Sequence, residues 1–414
     1  MSSQRVETVV VGGGQAGLAT SYYLSKRGQE HIVLEQAAQA GNAWRNDRWD
    51  SFTLVTPNWT FRVPGIEYDG DDPGGFMSRN EVVSRFEQLV EDNALPVRFG
   101  VRVASVEPAR QGGYRVNTDS ECIEADNVVI ATGVFQRPKI PAMAAALPVG
   151  IDQLHSGQYR NPSGLRNGAV LVVGSAQSGC QIAQELYQHG RKVFLCVGGA
   201  GRIPRRYRGR DVVEWLSLIG FMDRTVDDLP SPQARFAGNP HLSGRDGGQT
   251  LNLHQFVRDG VVLLGHARGV EGATLHLAPD VHESVSKADA FEAMITGKID
   301  DYIEREGIDA PVEILPTLRD AFAAEEITEF GLAAADITTI IWAMGYSFDF
   351  GMVKAPVFDD TGFPIAERGV TQSRGLYFVG LPWMPVWSTG LLYRVGEVAE
   401  HVAEDIAARR GARL

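Results

Sequence analysis

Two glycine-rich loops, one near the start of the chain and one near its middle, constrain the fold more than any other feature. VVVGGGQAGLATSYYL occupies residues 9–24, and LVVGSAQSGCQIAQEL occupies residues 171–186. Each loop lies between a short apolar run, which predicts a buried strand, and an amphipathic run, which predicts a helix. In dinucleotide-binding units such a loop turns tightly, lets the backbone approach a pyrophosphate and packs the helix against the strand. The sequence therefore predicts two Rossmann-like units in one chain.

The first loop carries the complete pattern. Gly12, Gly14 and Gly17 follow the strand, and the helix N-terminus after them favours negative phosphates. A second predicted strand, HIVLEQ, ends in Glu35, which is 18 residues after Gly17. A carboxylate at this distance accepts hydrogen bonds from an adenosine ribose. We expect FAD at this loop. Three further residues complete the predicted site: Gln15, Ala16 and Gln36.

The second loop lacks the acid. Its pattern is Gly174, Ala176 and Gly179, and Val197 stands 18 residues after Gly179. A missing acid with arginines nearby is the pattern expected for the 2′-phosphate of NADPH. The basic cluster that follows consists of Arg202, Arg205, Arg206, Arg208 and Arg210. Arg202 is the first candidate ligand and Arg206 the second, and a solvated basic loop is the alternative. The remaining loop residues, which we also expect to contact NADPH, are Ser175, Gln177 and Ser178.

Length and composition are those of a globular protein. The chain has 414 residues, of which 44% are hydrophobic and 22% charged, and its formal net charge is −12. This length favours two or three domains, and the acidic balance argues against nucleic acid as a main partner. The longest apolar runs fall short of the roughly 18–20 residues that cross a bilayer. Because MSSQRVE lacks an apolar signal segment, we expect a cytoplasmic protein without membrane partners.

The cysteines exclude one class of flavoenzyme. Cys122, Cys180 and Cys196 form no C-x-x-C pair, and no His/Cys cluster has the spacing of a metal site. We therefore expect neither dithiol chemistry nor a metal, and we interpret the cysteines as small buried apolar side chains.

The remaining segments predict an α/β protein with the NADPH domain inserted into the FAD domain. DNVVIATGVFQRPKIP, residues 126–141, reads as the last strand of the first FAD segment and an exit from it. DITTIIWAMGY, residues 336–346, reads as a strand that returns to the FAD domain. The predicted FAD-binding domain comprises residues 1–145 and 335–414, the NADPH-binding domain residues 160–334, and the crossover residues 146–159.

Several of these motifs together resemble the flavin-containing monooxygenase family. The matching segments are GGGQAGLA, GNAWR at 41–45, FMSRNEVVSRF at 76–86, ATG at 131–133, LHSGQYRN at 154–161 and WAMGY at 342–346. The resemblance implies that Ala43 and Trp44 lie over the flavin. Further cofactor contacts are expected at Leu54, Thr56, Val103, Ala131, Thr132, Gly133 and Gly380.

The chain departs from the family pattern at several positions. Val149 and Ile151 replace a Phe and a Gly of the full fingerprint, and Met344 replaces a Thr. Tyr159 stands where Baeyer–Villiger enzymes usually have Trp, which disfavours that class. Asn58 lies one position from an Asn that family members hold beside the flavin. The same segment also fits a pattern of plant indole-3-pyruvate monooxygenases, through Leu54 and Pro57.

The resemblance implies a reaction. NADPH would reduce the flavin, the reduced flavin would form a C4a-peroxide with dioxygen, and one oxygen atom would pass to a small lipophilic or aromatic substrate, by N-, S- or decarboxylating oxygenation. Asn58 and Trp387 are the candidate catalytic residues. An aromatic chamber is expected between Trp387 and segment 54–61, although ordinary core tryptophans remain an alternative. We expect His155 to orient the crossover rather than to catalyse.

Two other classes of protein stay open. One is an NADPH-dependent flavin reductase that passes electrons to a separate acceptor. The other is a non-catalytic flavin-binding sensor. Homo-oligomerisation is also left open by the sequence.

Overall fold

Two sheets, each with a glycine-rich loop at its carboxyl edge, organise the chain into a mixed α/β fold. The computed structural model describes residues 4–411, so the predicted domain bounds at residues 1 and 414 lie outside the described part. Its strands are β1 (Gln4–Val11), β2 (His31–Glu35), β3 (Val97–Phe99), β4 (Val103–Pro108), β5 (Tyr114–Thr118), β6 (Cys122–Ile130), β7 (Arg137–Pro138), β8 (Asp152–His155), β9 (Ala169–Val173), β10 (Val193–Cys196), β11 (Arg206–Tyr207), β12 (Arg210–Asp211), β13 (Leu242–Ser243), β14 (Gln249–Thr250), β15 (Val262–Leu264), β16 (Ala267–Glu271), β17 (Thr274–Leu277), β18 (Glu329–Gly331), β19 (Ile337–Trp342), β20 (Tyr346–Ser347), β21 (Ala366–Glu367), β22 (Val370–Thr371) and β23 (Leu376–Phe378). Its α-helices are α1 (Gln15–Lys26), α2 (Asn42–Asn46), α3 (Arg79–Asp92), α4 (Gln177–Gln188), α5 (Val212–Leu218), α6 (Leu253–Arg258), α7 (Val281–Glu306) and α8 (Val395–Gly411).

The first sheet has the order β21-β22-β23-β6-β1-β2-β3, and the β4–β5 hairpin joins it through β6. From β23 to β3 the neighbouring strands are parallel. Val10 packs under helices α1, α3 and α8, whereas Val9 and Val11 face the side closed by the hairpin and residues 350–363. Because both faces are covered, β1 is apolar almost throughout, as expected for a buried parallel strand.

The second sheet has the order β15-β10-β9-β19-β8, and all of its pairs are parallel. Helices α4 and α6 and the start of α7 cover one face. Residues 142–147 and strands β17 and β18 cover the other face. The strand order reverses between β9 and β19, and ligands of open α/β sheets bind at such a switch point.

The strand that sequence analysis assigned to the FAD domain belongs to the second sheet. It forms at Ile337–Trp342 as β19 and lies between β9 and β8. In the first sheet the equivalent position beside β1 is already filled by β6. The predicted crossover, residues 146–159, also contributes a strand, β8, to the edge of the second sheet. The second sheet therefore draws its strands from residues 152–342.

A short ribbon joins the two sheets. Strand β7 follows the first sheet and pairs antiparallel with β20, which follows β19. Arg137 of β7 also forms an ion pair with Asp349. The chain thus leaves the first sheet after β6 and returns beside its own exit, which is the topology of an inserted unit.

The two longest helices each pack against a core. Helix α7 buries Val285, Ile295 and Ile299, and Gly307 caps its end in the left-handed conformation. Helix α8 packs against α1 in the first core. Among the helices of residues 4–411, none combines the length and the apolar character that a membrane-spanning segment needs.

We expect Gly17→Ala and Gly179→Ala to destabilise the protein. A Cβ at either position would lie 1.8 Å from a backbone oxygen, that of Gly12 or that of Gly174, so the helix would have to move off its strand. Overpacking of this kind costs about 1–3 kcal/mol or more. Gly297→Ala in α7 is the control, since a Cβ there would have no neighbour within 4 Å and should add about 0.5–1 kcal/mol of stability. Denaturant unfolding gives the free energy of unfolding of all three variants. A value for Gly17→Ala equal to that of the parent protein would contradict the close packing of α1.

Candidate functional site

The two glycine-rich loops have nearly the same geometry. Gly12 and Gly174 both have φ of 106°. Their amides donate to Leu34 O at 2.9 Å and to Cys196 O at 3.1 Å. A Cβ would lie 2.7 Å from Ala131 O at Gly12 and 2.6 Å from Ala343 O at Gly174. The structure therefore contains one loop design twice, and the A-T-G and A-M-G motifs close the two copies in the same way.

Both loops lead into helix N-termini that suit an anion. Gly14 begins α1 and Ala176 begins α4, and neither helix has a side-chain cap or an acidic residue in its first turn. The first backbone N–H groups of such a helix attract phosphate. A Cβ at Gly14 would have no neighbour within 4 Å, which leaves space for a pyrophosphate. The residues expected beside the phosphates lie at these starts: Gln15 and Ala16 in α1, Gln177 and Ser178 in α4.

Glu35 and Val197 occupy equivalent positions. Val11 pairs with Leu34 in the first sheet, and Val173 pairs with Cys196 in the second, so the next residues are Glu35 and Val197. Glu35 accepts hydrogen bonds from Gly13 N at 2.6 Å and Ala37 N at 2.7 Å, which hold its carboxylate beside the loop. Val197 is buried and offers no acceptor from its side chain. The sheet register thus supports the comparison of offsets made from the sequence.

The expectation for Arg202 is wrong. Its side chain is buried, and its guanidinium contacts Asp289 at 2.6 Å and Glu292 at 2.5 Å, both on α7. Two carboxylates neutralise this charge, so Arg202 ties α7 to the loop after β10 instead of facing a 2′-phosphate. Arg205, Arg208 and Arg210 are also paired with acids.

Arg206 is the remaining arginine of the cluster. It is exposed, and its guanidinium donates to Gly247 O at 2.9 Å. No carboxylate partner of Arg206 appears among residues 4–411. Its charge is therefore still available to a ligand.

Sequence reasoning missed His266. Strand β15 pairs with β10, and His266 follows it at the same carboxyl edge as Val197. Its Nε2 lies 3.5 Å from the position of a Cβ on Gly198, and its Nδ1 lies 2.8 Å from Asp280 Oδ2. Only the pairing of the strands brings this histidine to the second loop, because it is 68 residues beyond Gly198 in the sequence.

The segments that carried the family resemblance converge between the two sheets. Tyr346, from W-A-M-G-Y, packs its ring 4.7 Å from that of His155, from the H-S-G-Q-Y segment. Arg160 donates to the backbone of Asn46 and Arg48, in the loop that contains α2. These contacts join three segments that are more than 100 residues apart.

His155 is buried within this junction. Its Nε2 is 2.9 Å from Gly345 O, and its Nδ1 accepts from Gly157 N at 3.2 Å. Burial lowers the pKa of His155, although the bond to Gly345 opposes this shift. A neutral ring with both nitrogens on the main chain is the arrangement expected of a residue that orients the crossover.

Segment 380–390 lies directly over the first loop. A Cβ at Gly380 would lie 2.3 Å from Ala16 Cβ, and Gln15 donates through Nε2 to Gly390 O at 2.8 Å. Thr132 accepts from Gln136 at 3.1 Å, and Gly133 has φ of 68°. The structure thus brings Gly380, Ala131 and Thr132, with the adjacent Gly133, to the first loop.

Other predicted cofactor residues lie further along the same unit. Ala43 is exposed and Trp44 half-buried on α2, and Leu54 is buried in the first core. Thr56 accepts from Thr60 Oγ1 at 2.8 Å. Val103 is in β4, partly buried against the core on the other face, and Gln36 is exposed beyond β2.

The catalytic expectation for Asn58 is not supported. Its Nδ2 donates to Asp72 O at 2.9 Å, and its Oδ1 accepts from Met77 N at 2.7 Å. The side chain is buried and closes the loop between residues 58 and 77. Because both ends of the amide bond to main chain, its role is structural.

Trp387 and Trp59 are both partly buried against one apolar cluster, which also includes Phe221 and Trp215 from the second unit. Trp387 donates through its backbone to Arg224 O at 2.8 Å, and its ring lies 6.0 Å from Phe221. An aromatic wall therefore stands where segment 380–390 meets the second unit.

The cysteines are separated. Cys180 and Cys196 are buried on opposite faces of the second sheet, and Cys122 is on β6 of the first. Burial raises the pKa of Cys196 to about 12. These thiols cannot form a redox pair in this arrangement.

Comparison with known sequences identifies relatives over the whole chain. A profile described as pyridine nucleotide-disulphide oxidoreductase matches residues 9–217. An uncharacterized CzcO-like oxidoreductase of Geobacillus kaustophilus is 30% identical over 403 residues, covering 97% of this chain and 98% of the relative. The indole-3-pyruvate monooxygenase YUCCA1 of Oryza sativa subsp. japonica is 28% identical over 204 residues, covering 49% of this chain and 50% of the relative.

Solved structures share the fold. A flavin-containing monooxygenase from Stenotrophomonas maltophilia superposes with a TM-score of 0.67 at 18% identity, covering 98% of this chain and 99% of that one. The bacillithiol disulfide reductase Bdr from Bacillus cereus gives 0.62 at 16% identity, with 98% and 100% covered. At these identities the likeness extends to the fold only.

We expect Gly14→Val to prevent FAD binding. The branched side chain would fill the open space in front of the α1 N-terminus, so the purified protein should be colourless. Ala176→Val is the matched control in the second loop, and it should keep FAD while losing NADPH binding. Flavin absorbance and NADPH titration measure the two effects. A normal FAD content in Gly14→Val would contradict the assignment of FAD to this loop.

Arg202→Ala should act on stability rather than on coenzyme choice. Removing the arginine leaves the partly buried Glu292 without a cation and Asp289 with only His254 beside it, which costs about 1–3 kcal/mol. Arg206→Ala, at an exposed position of the same cluster, should change stability by less than about 0.5 kcal/mol. Denaturant unfolding compares the two. An Arg202→Ala protein of normal stability that binds NADPH weakly would restore the sequence-based interpretation.

Proposed function

The chain belongs to the pyridine nucleotide-disulphide oxidoreductase family, and from this premise we propose that it is an FAD-dependent, NADPH-consuming monooxygenase. Its substrates would be dioxygen and a small aromatic or lipophilic molecule. The observation that carries the proposal is the pair of matched phosphate-binding loops with an aromatic wall over the first of them. The monooxygenase relatives support the proposal.

The protein would hold its two cofactors at the two helix N-termini. The α1 start and Glu35 suit the pyrophosphate and ribose of FAD, and the α4 start suits the pyrophosphate of NADPH. When bound, FAD would accept a hydride from NADPH and activate dioxygen. Gly380 and segment 380–390 would position the flavin over the first loop. Trp387 and its aromatic neighbours would exclude water and orient the substrate.

A preference for NADPH over NADH is part of the proposal. Val197 removes the acid that would repel a 2′-phosphate, and Arg206 has a charge that no described carboxylate neutralises. His266 adds a second candidate at the carboxyl edge beside Gly198. The assignment of FAD to the first unit and NADPH to the second rests on the same difference between Glu35 and Val197.

The flavin reductase is the main alternative, since a disulfide reductase shares the fold. The separation of the three cysteines disfavours electron relay through a thiol pair of this chain. Reducing the holoprotein with NADPH without oxygen, and then mixing it with oxygen, tests the proposal. A transient absorbance change before flavin reoxidation, together with transfer of ¹⁸O from ¹⁸O₂ to a product, is expected. Direct one-step reoxidation without a labelled product would favour the reductase.

We expect Arg206→Gln to weaken NADPH binding about 10-fold with little effect on NADH. A hydrogen bond to a charged group contributes about 1.5–3 kcal/mol of binding free energy, and we use the lower value because Arg206 is exposed to solvent. His266→Gln tests the second candidate in the same way, and Arg319→Gln is a control at an exposed position. Dissociation constants of both coenzymes measure the effect. Equal use of NADPH and NADH by the parent protein would contradict the preference.

Trp387→Ala should uncouple NADPH oxidation from product formation. Trp387 is only partly buried, so the variant should fold, bind FAD and oxidise NADPH. It should release hydrogen peroxide because the reacting site is open to water or the substrate is misplaced. Trp215→Ala is the contrasting variant: Trp215 is fully buried, so its loss should cost about 3–5 kcal/mol. Melting temperature, NADPH oxidation and peroxide yield are measured on one preparation. If NADPH oxidation stays coupled to product formation in Trp387→Ala, Trp387 is not part of the substrate site.

A further inference from the structure

Arg224 differs from the arginines around it. Residues 202–245 contain eight arginines, and six of them pair with carboxylates: Arg202, Arg205, Arg208, Arg210, Arg235 and Arg245. Within the described chain the two exceptions are Arg206, which is exposed, and Arg224, which is half-buried. A half-buried guanidinium has lost part of its hydration, so the absence of an acid beside it calls for a physical explanation.

Three aromatic rings surround the Arg224 guanidinium. Its central carbon lies 3.5 Å from the ring centre of Phe221 and 5.9 Å from those of Trp383 and Trp387. Its Nε donates to Phe221 O at 3.1 Å. Aromatic faces stabilise a guanidinium by cation–π attraction but leave its N–H donors without acceptors. The geometry therefore leaves donors of Arg224 available in an apolar setting.

The neighbouring acids are engaged elsewhere. Asp223 pairs with Arg394 at 2.5 Å, and Asp228 accepts from Thr225 N at 2.7 Å. Burial lowers the pKa of Arg224, and the more distant charge of Asp228 opposes this shift. Neither Asp223 nor Asp228 forms an ion pair with the Arg224 guanidinium.

Hydrogen bonds connect Arg224 to the first glycine-rich loop. Arg224 O accepts from Trp387 N, and Ser388 donates through Oγ to Met222 O at 2.8 Å. The same short turn ends at Gly390, whose carbonyl accepts from Gln15 at the start of α1. The aromatic site around Arg224 is therefore anchored to the loop where FAD is proposed.

Trp383 provides an independent sign of a functional site. It has φ of 65°, a left-handed conformation that is strained for a bulky aromatic residue. Its indole donates to Arg235 O at 3.1 Å, and this bond holds the ring beside Arg224. Strain of this kind persists where the surrounding structure enforces it, and it concentrates at ligand sites.

We propose that Arg224, enclosed by Phe221, Trp383 and Trp387, binds the carboxylate of an aromatic carboxylic acid, which is the substrate class of this enzyme. This inference rests on the proposed monooxygenase function. The guanidinium would bind the carboxylate through charge-assisted hydrogen bonds, and the indole rings would pack against the aromatic part of the substrate. The binding step forms no covalent bond.

Binding of two matched probes to the FAD-loaded protein tests the inference. 2-Naphthylacetate and 2-naphthylacetamide differ in the charge of one group, and calorimetry gives their dissociation constants without NADPH. The parent protein should bind the carboxylate about 10- to 150-fold more tightly, the range for hydrogen bonds to a charged group. Equal binding of the two probes, or binding of neither, would overturn the inference.

Variants assign the preference to Arg224. Arg224→Gln should lose the preference for the carboxylate and keep its affinity for the amide, with unchanged FAD content and NADPH binding. Arg319→Gln is the control, because its guanidinium also lies over a ring, that of Phe322 at 5.6 Å, and should leave both affinities unchanged. Equal weakening of both probes, or loss of FAD, would show a structural or cofactor role and overturn the inference.

A conservative variant covers the case in which Arg224→Gln does not fold. Arg224→Lys keeps a positive charge but lacks the planar pair of donors. A smaller preference for the carboxylate probe over the amide probe supports the inference. A preference equal to that of the parent protein overturns it. These measurements need no turnover. If the enzyme transfers oxygen to neutral substrates and shows no preference for the carboxylate probe, the proposed function stands and this inference fails. If the protein prefers the carboxylate probe but transfers no oxygen, the proposed function fails and the carboxylate site at Arg224 stands.

Discussion

Two close backbone approaches, Gly17 over Gly12 and Gly179 over Gly174, fix the positions of the other site elements. In each, the first turn of a helix rests on the loop that ends a central strand, with no room for a Cβ. This contact aims the free N–H groups of α1 and α4 at the carboxyl edges of their sheets. Ala131 and Ala343 then close the loops from the neighbouring strands, and Gly380 fits against α1. A substitution that moves either helix would therefore displace an entire site.

The relative position of the two loops depends on polar contacts between the sheets as well as on the β7–β20 ribbon. Glu185 of α4 accepts from Ser51 and from Tyr159, both at 2.6 Å. Arg205 donates to Val55 O at 2.7 Å while it pairs with Asp211. Hydride transfer requires reacting atoms about 3–3.5 Å apart, so in the proposed enzyme these contacts would help to place the two cofactors for reaction.

The sequence predicted local features well and long-range ones poorly. The loops, their helices and the equivalence of Glu35 and Val197 follow from spacing along the chain, and the structure agrees with them. The sheet that contains β19 was not predictable, because the same A-x-G motif follows the strand in both units. Arg202 was misjudged because its partners lie about ninety residues away on α7, and Asn58 because its acceptors and donors are main-chain atoms. Contacts between side chains that are distant in the sequence produce no periodic pattern, so a single sequence does not reveal them.

The distribution of charge explains how an acidic protein can bind two polyanionic cofactors. Its net charge is −12, and most of the arginines near the second loop are neutralised by carboxylates. Helix N-termini attract phosphates through partial charges of the backbone, which need no net positive charge on side chains. In the proposed enzyme, general affinity for dinucleotides would come from the loops. Discrimination between similar anions would then depend on individual cations, for which we propose Arg206 at the coenzyme and Arg224 at the substrate.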